Sequence, residues 1–247
     1  MKRPLVIGAV LLVVVGIAAA GGAWWFFKDD APAEVSLSSA VESVTATTVR
    51  ASATTGAVPA ATGIAGTWTV DDSTGAFDYD SATGTFAGFR IKENLSSIGS
   101  TTAVGRTGDV TGTVTIDETT LSAGTFSVDL TTIKTNESRR DDKVQSALAT
   151  SQYPTATFTL MQPIDLGASA ATGASVSVTA VGDLTIHGTT KHVEIPLQAQ
   201  LVNGTAVIVG SIDLTFADYG VAVPTSPAVV SVDDHGTLEF QLVLKPS

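Results

Sequence analysis

From Gly66 to the end of the chain, apolar and polar residues alternate with a period of two, and this leaves few folds open. Phe89 and Ile91 alternate with Arg90 and Lys92. Val110, Gly112, Val114 and Ile116 alternate with Thr111, Thr113 and Thr115, and Phe126, Val128 and Leu130 with Ser127 and Asp129. Phe158 and Leu160 follow, then Val176, Val178 and Ala180, leading through Gly182 to Leu184 and Ile186. Val193, Ile195, Leu197, Ala199 and Leu201 come next, then Ile208, Gly210, Ile212, Leu214 and Phe216, and finally Leu238, Phe240, Leu242 and Leu244. Successive side chains of a strand point to opposite faces, so these eight segments read as half-buried antiparallel strands. Asn203-Gly204 is a strong hairpin signal, and His187-Gly188 and His235-Gly236 mark other run ends. Trp68–Val70 and Phe77–Tyr79 are candidates for short extra strands.

The expected class is therefore all-β, either a sandwich or a closed up-and-down barrel, which periodicity alone does not separate. Gly112, Gly182 and Gly210 fall on apolar faces. Glycine inside a strand marks a bend, a bulge or a close approach. Such glycines fit a curved, partly hollow sheet and fit plain coiling equally well.

The N-terminus has a different character. Met1-Lys2-Arg3 precedes an uncharged run from Pro4 to Phe27, about the roughly 20 residues that span a bilayer core. Lys2 and Arg3 belong on the cytoplasmic side and Trp24-Trp25-Phe26-Phe27 at the opposite interface. The length of the run favours an uncleaved anchor over 1–28. The rival is a signal peptide cut after Ala18-Ala19-Ala20. Both readings make the rest extracytoplasmic. Residues 29–65, rich in Ala, Ser, Thr, Val and Pro, read as a disordered linker with a weak helix around Ser38 to Arg50. Residues 66–247 form the β domain.

Composition removes several function classes. The chain has 24 acidic and 13 basic residues and no Lys/Arg run, which argues against nucleic acid as a partner. With no cysteine, disulfides and thiolate chemistry are absent. The histidines are His187, His192 and His235. No G-x-S-x-G elbow accompanies them, and no spacing recommends a metal site. Asp71-Asp72 and Asp233-Asp234 read as solvated turn pairs. Gly105-Arg106-Thr107-Gly108 lacks the Gly-Lys-Ser/Thr of a nucleotide loop and reads as a turn, with Arg106 free to meet an anionic head. No catalytic residue, metal or cofactor is expected.

One stretch breaks the alternation: "TNESRRDDKVQSALATSQYPTATF", from Thr135 to Phe158. It resembles the segment of the YceI-like family in which a strand ends, an Arg-Asp pair opens a helix, and an aromatic-Pro motif returns the chain to the sheet. "GDLTIHGTTKHVEIPLQAQL" is similar to the family's G-x-L-T-x-x-G-x-T-K hairpin, at Gly182, Leu184, Thr185, Gly188, Thr190 and Lys191. "SIDLTFADYG" resembles its next strand, ending in Asp218, Tyr219 and Gly220. "GTWTVD" and "GTLEFQLVLK" match its opening and closing, so the resemblance runs from about Gly66 to Lys245.

The resemblance implies an eight-stranded, lipocalin-like antiparallel barrel with an apolar tunnel, in a family some of whose members bind a polyisoprenoid chain. On that reading the protein is a non-enzymatic, membrane-tethered binder of an isoprenoid or quinone-type lipid. The tunnel would be lined by Phe89, Ile91, Val114, Ile116, Phe126, Val128, Phe158, Leu160, Leu184, Ile186, Ile212, Leu214, Phe216, Phe240 and Leu242. Arg106, Arg139 and Arg140 are the candidate headgroup contacts. Arg139 or Arg140 paired with Asp141 or Asp142 would first serve to fix the helix start. The sequence departs from the family at Glu93, where relatives often carry histidine. A filled, non-catalytic barrel that binds another envelope protein is the alternative. Oligomeric state is not legible.

Overall fold

The computed structural model describes residues 31–52, 63–80, 83–96, 99–136, 138–223 and 229–247. The expected anchor over 1–28 lies outside the described residues. Among those described, no helix is long and apolar enough to cross a membrane.

Among the described residues, two α-helices, α1 (Leu37–Ser52) and α2 (Ser138–Ala147), accompany thirteen strands. The first seven strands are β1 (Gly66–Val70), β2 (Phe86–Leu95), β3 (Gly99–Thr107), β4 (Val110–Asp117), β5 (Thr120–Asp129), β6 (Lys134–Thr135) and β7 (Thr155–Leu160). The others are β8 (Ile164–Asp165), β9 (Val176–Ile186), β10 (Thr189–Val202), β11 (Thr205–Thr215), β12 (Val229–Val232) and β13 (His235–Pro246). Eight of them close an antiparallel ring in the order β1-β4-β5-β7-β9-β10-β11-β13, with β13 returning to β1 through Trp68 opposite Pro246 and Val70 opposite Leu244. Each of the eight strands thereby has a hydrogen-bonded neighbour on both sides.

The ring differs from the expected strand set in one place. β13 is longer than either neighbour on its second edge and pairs with two of them. Leu244–Pro246 meet β1, whereas Thr237–Gln241 meet β2. The alternating segment at Phe89 therefore belongs to a side branch, β2-β3-β6, and the short strand at Trp68 completes the ring. Phe77–Tyr79 form no strand. The Tyr79 hydroxyl instead donates to the Val104 carbonyl at 3.2 Å, laying this loop over β3.

Hairpins end where left-handed backbone is available. Asn203 and Gly204 both have positive φ (52° and 80°), as do His187 and Gly188 (53° and 73°), the conformation a two-residue hairpin with right-handed strand twist requires. The strand glycines mark close approaches. A Cβ at Gly112, Gly182 or Gly210 would fall 2.3–2.5 Å from the rings of Phe126, Phe158 and Phe240 respectively. Each glycine is thus the seat of an aromatic side chain.

One end of the barrel is filled. Trp68 (2% exposed), Leu244 and Ile64 pack there with Ala170, and Ile116, Leu121 and Leu166 pack around them. The indole Nε1 donates to the Ile64 carbonyl at 2.8 Å. The opposite end carries α2, whose Val144 packs with Leu130, Ile133 and Ala156.

The linker expected over 29–65 contains a docked helix. Leu37, Ala40, Val41 and Val44 recur at helical spacing. Ser36 caps α1, its Oγ accepting from the Ser39 amide at 3.3 Å. Ala40 and Val44 are fully buried against Val207, Val209 and Val243 on the outer face of β11 and β13. The helix exists because those three valines need a cover.

Candidate functional site: an apolar barrel cavity

The ring is not filled by its own side chains. A cavity of about 260 Å³ runs through it toward the α2 end. Protein interiors are close-packed and tolerate few voids larger than a water. A space of this size approaches the roughly 300–1,000 Å³ typical of small-molecule pockets.

Its wall is hydrocarbon. Phe89, Ile91, Val114, Phe126, Val128, Phe158, Leu160, Leu184, Ile186, Leu214, Phe216, Phe240 and Leu242 line it. Two residues expected with them do not. Ile116 packs into the Trp68 cluster at the filled end, and Ile212 is half-buried but off the wall. Sequence reasoning missed the contributions of α2 and its neighbours, chiefly Val144, Ala147, Leu148, Tyr219 and Val221. The helix signal was present in the chain. Nothing local indicates that its apolar side faces into the ring.

The polar framework at the α2 end ties the unusual motifs together. Tyr153 meets His187 edge to face, ring centroids 5.0 Å apart. His187 Nδ1 lies 3.1 Å from the Tyr219 carbonyl oxygen. Gly188 leaves room for the Tyr153 ring, which a Cβ would approach to 2.5 Å. The aromatic-Pro turn, the β9–β10 hairpin and the Asp-Tyr-Gly turn are therefore one packed corner, and His187 is a post within it. His192 and His235 are exposed and pair with Asp183 (3.0 Å) and Asp234 (2.9 Å). Contact with Asp234 raises the His235 pKa.

Tyr219 is 3% exposed, lines the cavity, and its hydroxyl has no hydrogen-bond partner among the described residues. Burial pushes its phenol above the usual range, and Asp218 adds to the effect. An unmade hydrogen bond on a buried hydroxyl costs about 1–3 kcal/mol.

The candidate headgroup arginines separate. Arg106 is neither in a turn nor at the cavity. It sits on the outer face of β3, 4% exposed, with Nη2 2.7 Å and Nε 3.1 Å from Glu239 Oε1. Its guanidinium lies 4.5 Å from the centroid of the Phe86 ring. Gly88 stands between the two partners in the sheet, opposite both Arg106 and Glu239, and a Cβ there would clash with the Arg106 side chain at 2.9 Å. Residues 32–35 cover the pair: Arg106 donates to the Ala33 carbonyl and Arg90 to that of Pro32, both at 2.8 Å, and the Val35 amide donates to Glu239 Oε2 at 3.4 Å.

Arg140 does lie at the cavity end of the barrel, but its partner is not Asp141 or Asp142. Its Nη2 is 2.5 Å from Glu93 Oε1, and it also donates to Asn136 Oδ1. Asp141 instead accepts from the Thr135 amide (2.7 Å) and hydroxyl (2.8 Å), fixing the chain just before the helix. The Arg139 side chain is outside the described residues.

Asp71, expected to be solvated, is buried. Ser73, Thr74 and Lys245 donate to it at 2.5, 2.5 and 2.9 Å. Burial by itself would raise its pKa, but these hydrogen bonds outweigh it and hold the carboxyl well below the usual range. No group of residues suited to a metal ion occurs among the described residues.

Known proteins share this architecture. A polyisoprenoid binding domain from Saccharophagus degradans, implicated in plant cell wall breakdown, is similar at TM-score 0.55 and 17% identity, over 73% of this chain and 98% of that one. BcnA from Burkholderia cenocepacia is similar at TM-score 0.52 and 17% identity, over 70% of this chain and 98% of that one. At such identities the likeness shows the fold alone. A search of curated proteins finds no match. The YceI-like domain family matches residues 37–244, from the first residue of α1 to the final strand, so the docked helix and the hollow barrel fall inside one domain, and the chain belongs to the YceI-like domain family.

Proposed function

We propose that this protein is a non-catalytic lipid carrier that holds an isoprenoid-type chain, polyprenyl or quinone-linked, inside its barrel. One observation carries the reading: the ring encloses a hydrocarbon-walled space of about 260 Å³. By roughly 24 cal/mol for each Å³ of unfilled core, a void of this size forfeits on the order of 6 kcal/mol of packing. A ligand that fills it recovers that loss. The similar Saccharophagus degradans structure is a polyisoprenoid binding domain, which supports the same class of occupant.

Magnitudes favour a long chain. Each buried methylene contributes roughly 0.8 kcal/mol, so one five-carbon unit contributes about 4 kcal/mol. Association costs about 4–15 kcal/mol. A single unit barely offsets the lower figure and several units exceed it. The filled Trp68 end directs such a chain to leave its polar head at the α2 end. Residues 1–28 supply the tether, a single-pass anchor with the barrel on the extracytoplasmic side and close to its lipid source.

The test is native mass spectrometry of the full chain purified from a bacterial host, followed by lipid extraction. The expected result is a co-purifying isoprenoid-type lipid, or uptake of added quinone or polyprenol by stripped protein. Protein that is empty and ignores both lipids would sink the carrier and favour a structural envelope module.

A further inference from the structure

The cavity has one filled end and one end where charge meets it. Ile91 lines the cavity, and Glu93 is the next position on the same face of β2. Val144 lines it from α2, and Arg140 lies one helical turn earlier. The two side chains meet at that rim, Arg140 Nη2 to Glu93 Oε1 at 2.5 Å, with Glu93 8% and Arg140 22% exposed. The second arm of the guanidinium is held by Asn136. Among the described residues no charged side chain lines the cavity itself, and Arg106 is committed to Glu239 on the outer wall. Among the described residues, the buried side-chain polar atom left without a partner belongs to a neutral group, the Tyr219 hydroxyl.

We propose that the site selects lipids with an uncharged polar head, a quinone carbonyl or an alcohol, over the same chain ending in a phosphate, pyrophosphate or carboxylate. This rests on the lipid-carrier reading. An anionic head needs a cation, and among the described side chains the cation at the rim, Arg140, is already occupied by Glu93. Displacing Glu93 would strand a buried carboxylate beside the incoming negative charge, which is costly in a site with little water. A neutral head leaves the ion pair intact. A turn of the Tyr219 ring, whose hydroxyl is buried and unpartnered among the described residues, would bring that donor to the oxygen of the head and satisfy it. Discrimination therefore comes as much from the repulsive element as from the attractive one.

The experiment compares three lipids of equal isoprenoid length, a benzoquinone, a polyprenol and a polyprenyl pyrophosphate, titrated into delipidated full-length protein. The neutral pair is expected to bind at least about tenfold more tightly than the pyrophosphate. Glu93→Gln frees Arg140 and is expected to raise pyrophosphate affinity about tenfold while leaving the quinone within about twofold. Tyr219→Phe is expected to weaken the quinone and leave the pyrophosphate unchanged. Equal binding of the pyrophosphate by the native protein overturns the inference, as does a folded Glu93→Gln variant with an unchanged preference. Should that variant fail to fold, the three-lipid series on native protein decides alone. Failure of all three lipids to bind overturns the carrier reading and this inference together. Binding without head discrimination overturns only the inference.

Discussion

Glu239 and Arg106 show how far a residue's role departs from its appearance in the chain. They are 133 positions apart and nearly inaccessible. Removing one partner of a buried pair strands the other, and such losses run to about 3–5 kcal/mol. Glu239→Ala is expected to lose that much in urea unfolding and to speed amide exchange over residues 33–44, which the pair helps to seat. Tyr219 predicts the opposite sign. Tyr219→Phe deletes an unpartnered buried hydroxyl, so the lipid-free protein should gain about 1 kcal/mol in the same assay. Asp71 sets an acid limit. Its carboxyl pKa lies below the unfolded value of 3.8, so the unfolded chain binds more protons as pH falls through that range. Stability from this group is present above about pH 4 and lost below it. Asp71→Asn should flatten the acid limb of a stability–pH curve. None of these roles was legible locally. Arg106 sits in what reads as a glycine-flanked turn and Asp71 in what reads as a solvated one, because burial of a polar group leaves no mark on its neighbours in sequence.

At the scale of elements, the strands with one solvated face were plain. β3 was not. Its last five residues, Ala103 to Thr107, are all buried, because loop 71–80 and residues 32–35 cover its outer side. A strand buried on both faces has no alternation to show. For α1 the reverse holds: the apolar spacing was visible, and the partner was not. Val44 is fully buried in that contact. Val44→Ala removes about two methylene equivalents and should cost about 2 kcal/mol in thermal or urea unfolding. If α1 were a loose appendage the substitution would cost nothing. Residues of the ring strands that the alternation places inward border the cavity, and α2 adds Val144, Ala147 and Leu148, because the inward side of that helix is defined by the barrel it closes.

For the whole molecule the decisive quantity is the unfilled volume. Lipid that binds only the folded state raises its stability by mass action. Protein extracted free of lipid should therefore melt several degrees below the loaded form, and adding a polyprenol should restore the difference. Filling the space from the helix side tests the same point with less strain than replacing a strand glycine, since Gly182 and Gly210 already seat aromatic rings. Ala147→Trp is expected to abolish lipid uptake, measured by native mass spectrometry, while leaving the melting temperature of the empty protein unchanged or raised.

The sequence by itself determined the all-β class, most of the strands, and which face of each is apolar. Alternation is a property of neighbours along one strand, and hydrophobic burial acts on it directly. Only the tertiary structure decided that eight apolar faces close around open space and that Arg106 points outward to Glu239. It likewise decided that α1 covers the wall and that Arg140 spends its charge on Glu93. Each of those depends on the register and closure of segments far apart in the chain, and no local pattern encodes the distance between them.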